Sequence, residues 1–325
     1  MPVAPQRHSI HKPHPNEDRA PYPTSGPKIK TVIGLDGGVD SAYGDLGRPP
    51  LHEGALRRAL VREGGLWREI GIVDETGSTN ADLAARAREG APEGTVLATE
   101  WQTAGRGRKG RAWTAPPRSG LAFSMLVRPA VPVQRLGWAS LLTGVAVATA
   151  IRRMTAWSQR GERFLGADAD GDTAVDARLK WPNDVLVGDR KLAGILAERV
   201  DDGLVIGVGL NVGLRAEELP VPTATSLAIE GAPLSDRAPL LRAILREFET
   251  WYREWTALGG DPDTSGLRTA YRDLCVTLGR DVRVELPGDQ RLTGRARDVD
   301  ETGRLVVAGP GGDSAVSAGD VVHVR

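Results

Sequence analysis

Only one cysteine, Cys275, stands among 325 residues. That excludes an intramolecular disulfide framework and any zinc site built on several thiolates, and it fits a reducing compartment. Histidine is scarce as well: His8, His11, His14 and His52 lie in the first sixth of the chain and His323 is third from its end. The long middle therefore cannot assemble a Ser-His-Asp, Cys-His or His-metal centre without borrowing from the ends. Neither sign of charge is in excess, Lys+Arg and Asp+Glu both numbering 42, so no overall field draws the protein to nucleic acid or an anionic membrane. No apolar run approaches the roughly 18 residues of a membrane span. Met1 to Pro27 also lacks the apolar stretch of an export signal. These absences lead to the expectation of a soluble, cytoplasmic protein whose chemistry runs on lysine, arginine, carboxylate, amide and backbone groups.

With 40% hydrophobic residues over this length, two folded units and a tail are expected. Residues 1–48, rich in Pro, His and Gly without periodicity, read as a disordered leader. Within it, Gly37-Gly38-Val39-Asp40-Ser41 spells a pyrophosphate loop, but Gly44, Gly47, Pro49 and Pro50 deny it the helix it needs. A domain over 49–268 is expected next. Its spacing predicts helices over 51–63, 81–89, 134–153 and 234–258. Strands are predicted over 69–73, 95–100, 121–127, 178–179, 184–187, 191–200 and 204–210. A polar stretch inside 158–177 reads as an exposed loop insertion. From 269 onward, short strands separated by Gly and Asp turns predict a small all-β unit.

Gly105-Arg106-Gly107-Arg108-Lys109-Gly110 matches the dinucleotide-binding glycine pattern, and a strand precedes it. Trp113, Pro116, Pro117, Ser119 and Gly120 follow, however, and no helix can start there to hold a pyrophosphate. The segment is instead a glycine-rich loop with Arg106, Arg108, Lys109 and Arg111 crowded into six residues, which is unfavourable unless anions neutralise it. Further along, Lys180-Trp181-Pro182-Asn183-Asp184 sets a cation, an amide and a carboxylate around a proline turn. Lys191-Leu192-Ala193-Gly194-Ile195 opens an apolar strand with lysine, and Gly207-Val208-Gly209-Leu210-Asn211 ends one in glycines and an amide. Each alone is ordinary turn or edge-strand chemistry.

Together with Gly77-Ser78-Thr79-Asn80 and Gln102-Thr103-Ala104-Gly105-Arg106-Gly107-Arg108, these motifs follow the order and spacing of the biotin protein ligase family, which the chain resembles from about Leu51 to its end. The resemblance implies an α+β fold: a central mixed β-sheet domain of the biotin/lipoate ligase type with a small C-terminal SH3-like barrel. It implies an ATP-dependent ligase forming a C–N bond, which makes biotinyl-5'-AMP and pyrophosphate and then biotinylates a lysine of a biotin carboxyl carrier protein. Mg²⁺ would accompany ATP, held by phosphates and water with no side-chain ligand assigned. Biotin would be bound by Ser78, Thr79, Asn80, Gln102, Gly105, Arg106, Gly107, Arg108, Lys191 and Gly194. ATP would be bound by Arg108, Arg111, Trp113, Lys180, Asn183, Lys191 and Asn211. Lys191, Arg108 and Asp184 would be catalytic, and the Gly/Arg loop a mobile cover. The short irregular N-terminal segment departs from family members that carry a DNA-binding helix-turn-helix, so no DNA binding is expected. The resemblance leaves room for a homodimer. A lipoate or octanoate ligase or transferase is the alternative, since it shares the core fold.

Overall fold

The computed structural model describes Met1 and residues 48–164, 174–232, 234, 236–286, 290–317 and 319–324. The leader, apart from its two end residues, and the Gly37–Ser41 motif lie outside the described residues. Arg48, counted with the leader, is anchored: its guanidinium donates to the Gly213 carbonyl at 2.8 Å and pairs with Glu218 at 2.5 Å.

A seven-stranded sheet forms the body. In chain order its strands are β1 (Glu69–Thr76), β2 (Thr95–Gln102), β3 (Gly120–Val127), β4 (Ala177–Lys180), β5 (Asp184–Val187), β6 (Arg190–Val200) and β7 (Gly203–Asn211), arranged β1-β2-β3-β7-β6-β5-β4. Only β1 and β2 run parallel, because helix α2 (Thr79–Arg88) crosses between them; the other neighbours are antiparallel, giving the expected mixed sheet. Gly188, with φ of 58°, turns the β5–β6 hairpin.

The two faces of the sheet are covered differently. One carries helices α1 (Glu53–Leu60), α3 (Trp138–Phe164) and α4 (Ala238–Ala257). From Trp138 to Ile151 helix α3 is apolar nearly all round and almost wholly buried, which makes it the centre of the main core. On the other face α2 covers a small cluster of Leu83, Ala84, Ala87, Leu126, Val200 and Val205. Strand alternation divides β7 between the faces: Ile206, Val208 and Leu210 enter the main core, so Gly207 and Gly209 point to the thinly covered side. That side holds the site.

The expected insertion over 158–177 is partly corrected. Residues 158–164 continue α3, and β4 begins at Ala177. Buried Val175, held by the Thr155 hydroxyl at 3.0 Å, leads into that strand; residues 165–173 lie outside the described set. The boundary expected at 268/269 falls inside a two-turn helix, α5 (Leu267–Leu274), that sequence reasoning missed. Leu267 and Tyr271, one turn apart, are buried, and α5 packs on α3.

Strands β8 (Asp281–Glu285), β9 (Arg291–Val299), β10 (Leu305–Gly309), β11 (Gly312–Val316) and β12 (Asp320–His323) form the expected small C-terminal unit, a five-stranded antiparallel sheet in the order β11-β10-β9-β8-β12. The stretch 276–280 is irregular and crosses between the sheets, Val276 N–H donating to the Leu179 carbonyl at 2.8 Å and Gly279 N–H to the Ala296 carbonyl at 2.7 Å. Trp181 fastens them together: 1% exposed, it donates from Nε1 to the Gly303 carbonyl at 3.1 Å and from its backbone N–H to Thr277 Oγ1 at 3.1 Å. Its loop-like context in the sequence hides a structural strut.

Candidate active site

A cavity of ≈ 610 Å³ opens on the thinly covered face. Every residue assigned to the site from the sequence lines it except Gly105. Gly105 acts from behind, since a Cβ there would lie 2.5 Å from the Trp113 carbonyl and 2.8 Å from Gln102 Nε2.

At the N-terminus of α2, Ser78 is the cap residue and makes no capping bond with its side chain, so its hydroxyl is left for the cavity. Thr79 donates from its backbone N–H (2.9 Å) and its hydroxyl (3.1 Å) to Gln102 Oε1. A backbone N–H can only donate, so the Gln102 amide is fixed with its NH₂ group free for a ligand acceptor. Asn80 differs from the expectation of direct ligand contact. Its Nδ2 donates to the Leu196 carbonyl (3.2 Å) and Glu198 Oε2 (2.7 Å), and its Oδ1 lies 2.6 Å from Ser124 Oγ. Asn80 lines the cavity, but its amide is already committed to the protein. Wholly buried Ser124 bridges Asn80 and Thr79 Oγ1, the latter at 2.7 Å. Sequence reasoning passed over Ser124 because it reads as one polar residue in an apolar strand. A Cβ at Gly207 would fall 2.1 Å from Asn80 Oδ1, so this glycine is required by the approach of α2.

The basic loop is a closed hairpin rather than an open strap. Trp113 N–H donates to the Gly105 carbonyl at 2.8 Å, Gly107 N–H to the Arg111 carbonyl at 2.7 Å, and Lys109 takes the left-handed conformation at the tip. Its crowded charge is partly neutralised from the C-terminal unit, which the sequence did not reveal. Asp320 pairs with Lys109 at 3.1 Å and Arg111 at 3.0 Å. Burial opposes the Asp320 charge, but the Lys109 hydrogen bond and the fields of Arg111, Lys109 and Arg108 outweigh it and hold the carboxyl below its usual range. Arg108 turns inward, donating to Asn183 Oδ1 at 3.2 Å and the Gly319 carbonyl at 3.3 Å. Burial lowers its pKa, and the Asp320 and Asp184 carboxylates offset part of that. Arg106 lines the cavity without such ties among the described residues.

The cavity floor comes from β5, β6 and β7. Lys191 is fixed by its backbone, N–H to the Thr223 carbonyl at 2.7 Å and carbonyl from Thr225 N–H at 2.9 Å. Its ammonium pairs with Asp184 Oδ1 at 2.6 Å and lies 5.8 Å from the centre of the Trp113 ring. The Trp113 ring lies against β7: a Cβ on Gly209 would approach Cε2 to 2.4 Å, and one on Gly194 would come within 3.3 Å of Lys191 Nζ and Trp113. Glycine at both positions leaves room for the indole and the ammonium together. Asn183 donates to the Ile195 carbonyl at 2.8 Å, and buried Asn211 donates to the Thr225 carbonyl at 2.9 Å, so both line the cavity as anchored groups. Lys180 also lines it and makes no ion pair among the described residues. Flexible cations, an aromatic plate and two carboxylates, Asp184 and Asp189, in one cavity suit a polyanion joined to a flat ring.

Residues 73–214 match the pattern of the Biotin/lipoate A/B protein ligase family, and residues 277–324 that of the Biotin protein ligase C terminal domain. The chain is 45% identical over 280 residues to the Biotin--[acetyl-CoA-carboxylase] ligase of Mycobacterium tuberculosis, an alignment covering 86% of this chain and 97% of that protein. It is 31% identical over 252 residues to the Bifunctional ligase/repressor BirA of Escherichia coli, covering 75% and 70%. Among solved structures, the biotin protein ligase from Aquifex aeolicus in complex with biotin and ATP is similar with a TM-score of 0.62 and 25% identity, over 80% of this chain and 100% of that one.

Proposed function

The chain belongs to the biotin protein ligase family, and we propose that its cavity condenses biotin with ATP to biotinyl-5'-AMP and pyrophosphate, then passes the biotinyl group to a lysine of a biotin carboxyl carrier domain. The observation that carries this reading is the convergence of Lys191, Arg108 and Trp113 on one cavity with the fixed amide of Gln102. Ser78, Thr79 and Gln102 bind the ureido head, with Asn80 and Ser124 holding them in place. Trp113 supplies a face for adenine. Biotin's carboxylate is already ionised, so the first step needs no base; it needs positive charge as it attacks the α-phosphorus. Lys191 and Arg108 supply that, stabilising the pentavalent transition state, while Lys180 faces the departing phosphates.

Asp184 is the carboxylate paired with Lys191, and the small number of carboxylates nearby fits the sparse protein ligation expected of Mg²⁺, an ion that would neutralise phosphate charge when bound with ATP. In transfer the acceptor amine must lose a proton before it attacks the anhydride. Asp184 Oδ2 makes no bond among the described residues and is the group placed to take that proton. We place this chemistry in the cytoplasm, where ATP and carrier domains meet; no described helix is long and apolar enough to cross a membrane. A homodimer of the chain is the further association proposed, and sedimentation with and without biotin and ATP reads it.

Incubating the protein with a biotin carboxyl carrier domain, Mg-ATP and either biotin or lipoate, followed by mass spectrometry, tests the function. Addition of one biotinyl group is expected; a mass increase with lipoate alone would overturn the substrate assignment. Ser124→Ala removes the bridge between Thr79 and Asn80 and is expected to raise the KM for biotin about 5- to 10-fold, the effect of one buried hydrogen bond, with kcat little changed. An equal fall in kcat would show that Ser124 holds the reacting atoms instead.

Arg106→Gly removes a cation of the basic loop that lines the cavity. It is expected to release biotinyl-5'-AMP, which then labels lysines of bystander proteins such as serum albumin. Retention of normal acceptor specificity together with normal adenylate affinity would show that the loop does not hold the intermediate.

A further inference from the structure

Asn80 is held by a residue that does not itself line the cavity. Glu198, on β6 two residues beyond Leu196, accepts from Asn80 Nδ2 at 2.7 Å, beside the Leu196 carbonyl at 3.2 Å. Glu198 is exposed and absent from the cavity wall. Its influence on the site runs through the direction of hydrogen bonds. An ionised carboxylate and a carbonyl can only accept, so together they fix the Asn80 amide with Nδ2 toward β6 and Oδ1 toward Ser124. Oδ1 in turn can only accept, so the one proton of the Ser124 hydroxyl goes to it, at 2.6 Å. Ser124 then has only lone pairs to offer Thr79 Oγ1, 2.7 Å away on its other side.

The Thr79 hydroxyl has one proton and two acceptors for it. Turned to Gln102 Oε1, at 3.1 Å, the proton leaves the Thr79 and Ser124 oxygens facing each other with none between them. Turned to Ser124, at the shorter distance, it leaves Thr79 Oγ1 and Gln102 Oε1 as two acceptors side by side at the cavity wall. A ligand N–H directed between them satisfies both and stabilises this second setting. The NH₂ group of Gln102 remains a donor, so the site offers an acceptor pair and a donor, the complement of the N–H and C=O of a cyclic urea. A dithiolane ring, the head of lipoate, has neither group and would leave the site unpaired. We propose that Glu198 is a positioning residue for the ureido head: by fixing the Asn80 amide it sets the polarity of the relay from Thr79 through Ser124 to Asn80, and so makes the Thr79 oxygen an acceptor for a ureido N–H. The identity of the ligand rests on the ligase reading. Without Glu198, only the Leu196 carbonyl orients the Asn80 amide. Turned over, that amide donates to Ser124, Ser124 to Thr79 and Thr79 to Gln102, and the acceptor pair is lost.

Titration calorimetry into the full chain without ATP tests the relay, using biotin and two carbamate analogues in which one or the other ureido N–H is replaced by oxygen. Glu198→Ala is expected to weaken biotin binding about 3- to 10-fold, the effect of one partly exposed hydrogen bond, with an unchanged melting curve. The loss should disappear for the analogue that lacks the N–H reaching Thr79, because no donor is left for the relay to receive, and persist for the other analogue. Glu198→Gln keeps an acceptor for Asn80 and is expected to restore most of the affinity. In steady-state adenylation the KM for biotin should rise in Glu198→Ala while the KM for ATP and kcat stay in place. Equal losses for biotin and both analogues would reduce Glu198 to a support of the fold and overturn the proposal. So would unchanged biotin affinity in Glu198→Ala, or a Gln variant as weak as the Ala one. If the wild type bound biotin with the expected pattern yet formed no biotinyl-5'-AMP, the ligase reading would fail and the relay would stand.

Discussion

Replacing Lys191 by methionine is expected to slow biotinyl-5'-AMP formation on the order of 10²- to 10³-fold, the usual consequence of deleting one group aimed at developing transition-state charge. The geometry makes the experiment clean. Lys191 is positioned by backbone bonds to Thr223 and Thr225, which a substitution leaves intact, and methionine retains an apolar stem beside Trp113 and Gly194. The lost partner of Asp184 lies in a cavity open to solvent, where an unpaired carboxylate is tolerated. The melting temperature should therefore barely move while pyrophosphate release, measured with biotin and ATP and no acceptor, collapses. A rate within about fivefold of wild type, below the loss typical of such a group, would show that Arg108 and not Lys191 carries the electrostatic work. Asp184→Asn gives the complementary reading: if Asp184 takes the acceptor's proton, transfer from preformed adenylate falls further than adenylation does.

Several of these features were legible in the sequence, and the reasons differ by residue. The loop over 105–111 announced itself because its glycines lacked a following helix and its cations lacked partners in sequence. Alternation in β7 was readable as a strand, but the reason for its glycines was not: Gly207 and Gly209 are small because Asn80 and Trp113 approach from segments more than 90 residues away in sequence. Asp320 was invisible as the loop's counter-charge because nothing local ties a C-terminal carboxylate to a loop some 200 residues earlier. Asn80 is assigned to the ligand from its motif; that its amide also bonds Ser124, Leu196 and Glu198 could not be read there, because those partners lie 44 to 118 residues away in sequence. Helix α5 was missed because two amphipathic turns between Gly-rich segments give too short a periodic signal. His323 and Arg280, which line the cavity, gave no signal at all. Isolated polar residues in a small β-unit acquire meaning only when the unit is seen to lean over the cavity.

The largest effect on stability is expected at a pair that touches no ligand. Arg237, just before α4, and Glu100, on β2, form an ion pair of 2.6 Å with side chains 2% and 5% exposed. The guanidinium also donates to the Gly120 carbonyl at 2.8 Å and the Pro49 carbonyl at 3.0 Å, while Glu100 Oε1 accepts from Leu51 N–H at 2.5 Å. One buried pair thus ties together the chain's entry, two sheet strands and the start of a core helix. The Arg237 Nε, buried without a partner, shows that the arrangement is not saturated. Breaking such a pair leaves a charge in a site too dry to solvate it. Arg237→Leu is therefore expected to cost about 3–5 kcal/mol, which for a domain of this size lowers the melting temperature by roughly 10 °C. Because the penalty is the orphaned Glu100 carboxylate rather than the lost attraction, Glu100→Leu combined with Arg237→Leu should recover most of it, less the bonds to Gly120, Pro49 and Leu51. Denaturant unfolding of the two single variants and the double variant reads this as a coupling energy. A single variant within about 1 kcal/mol of wild type would mean that water reaches the pair. A double variant as unstable as the worse single one would place the stabilisation in the backbone bonds. Gly120 pairs in register with Asn211, and Ser119 receives the Gly213 N–H at 2.7 Å. The same substitution should therefore loosen the Asn211 end of the cavity floor and raise the KM for ATP at temperatures well below the melting point.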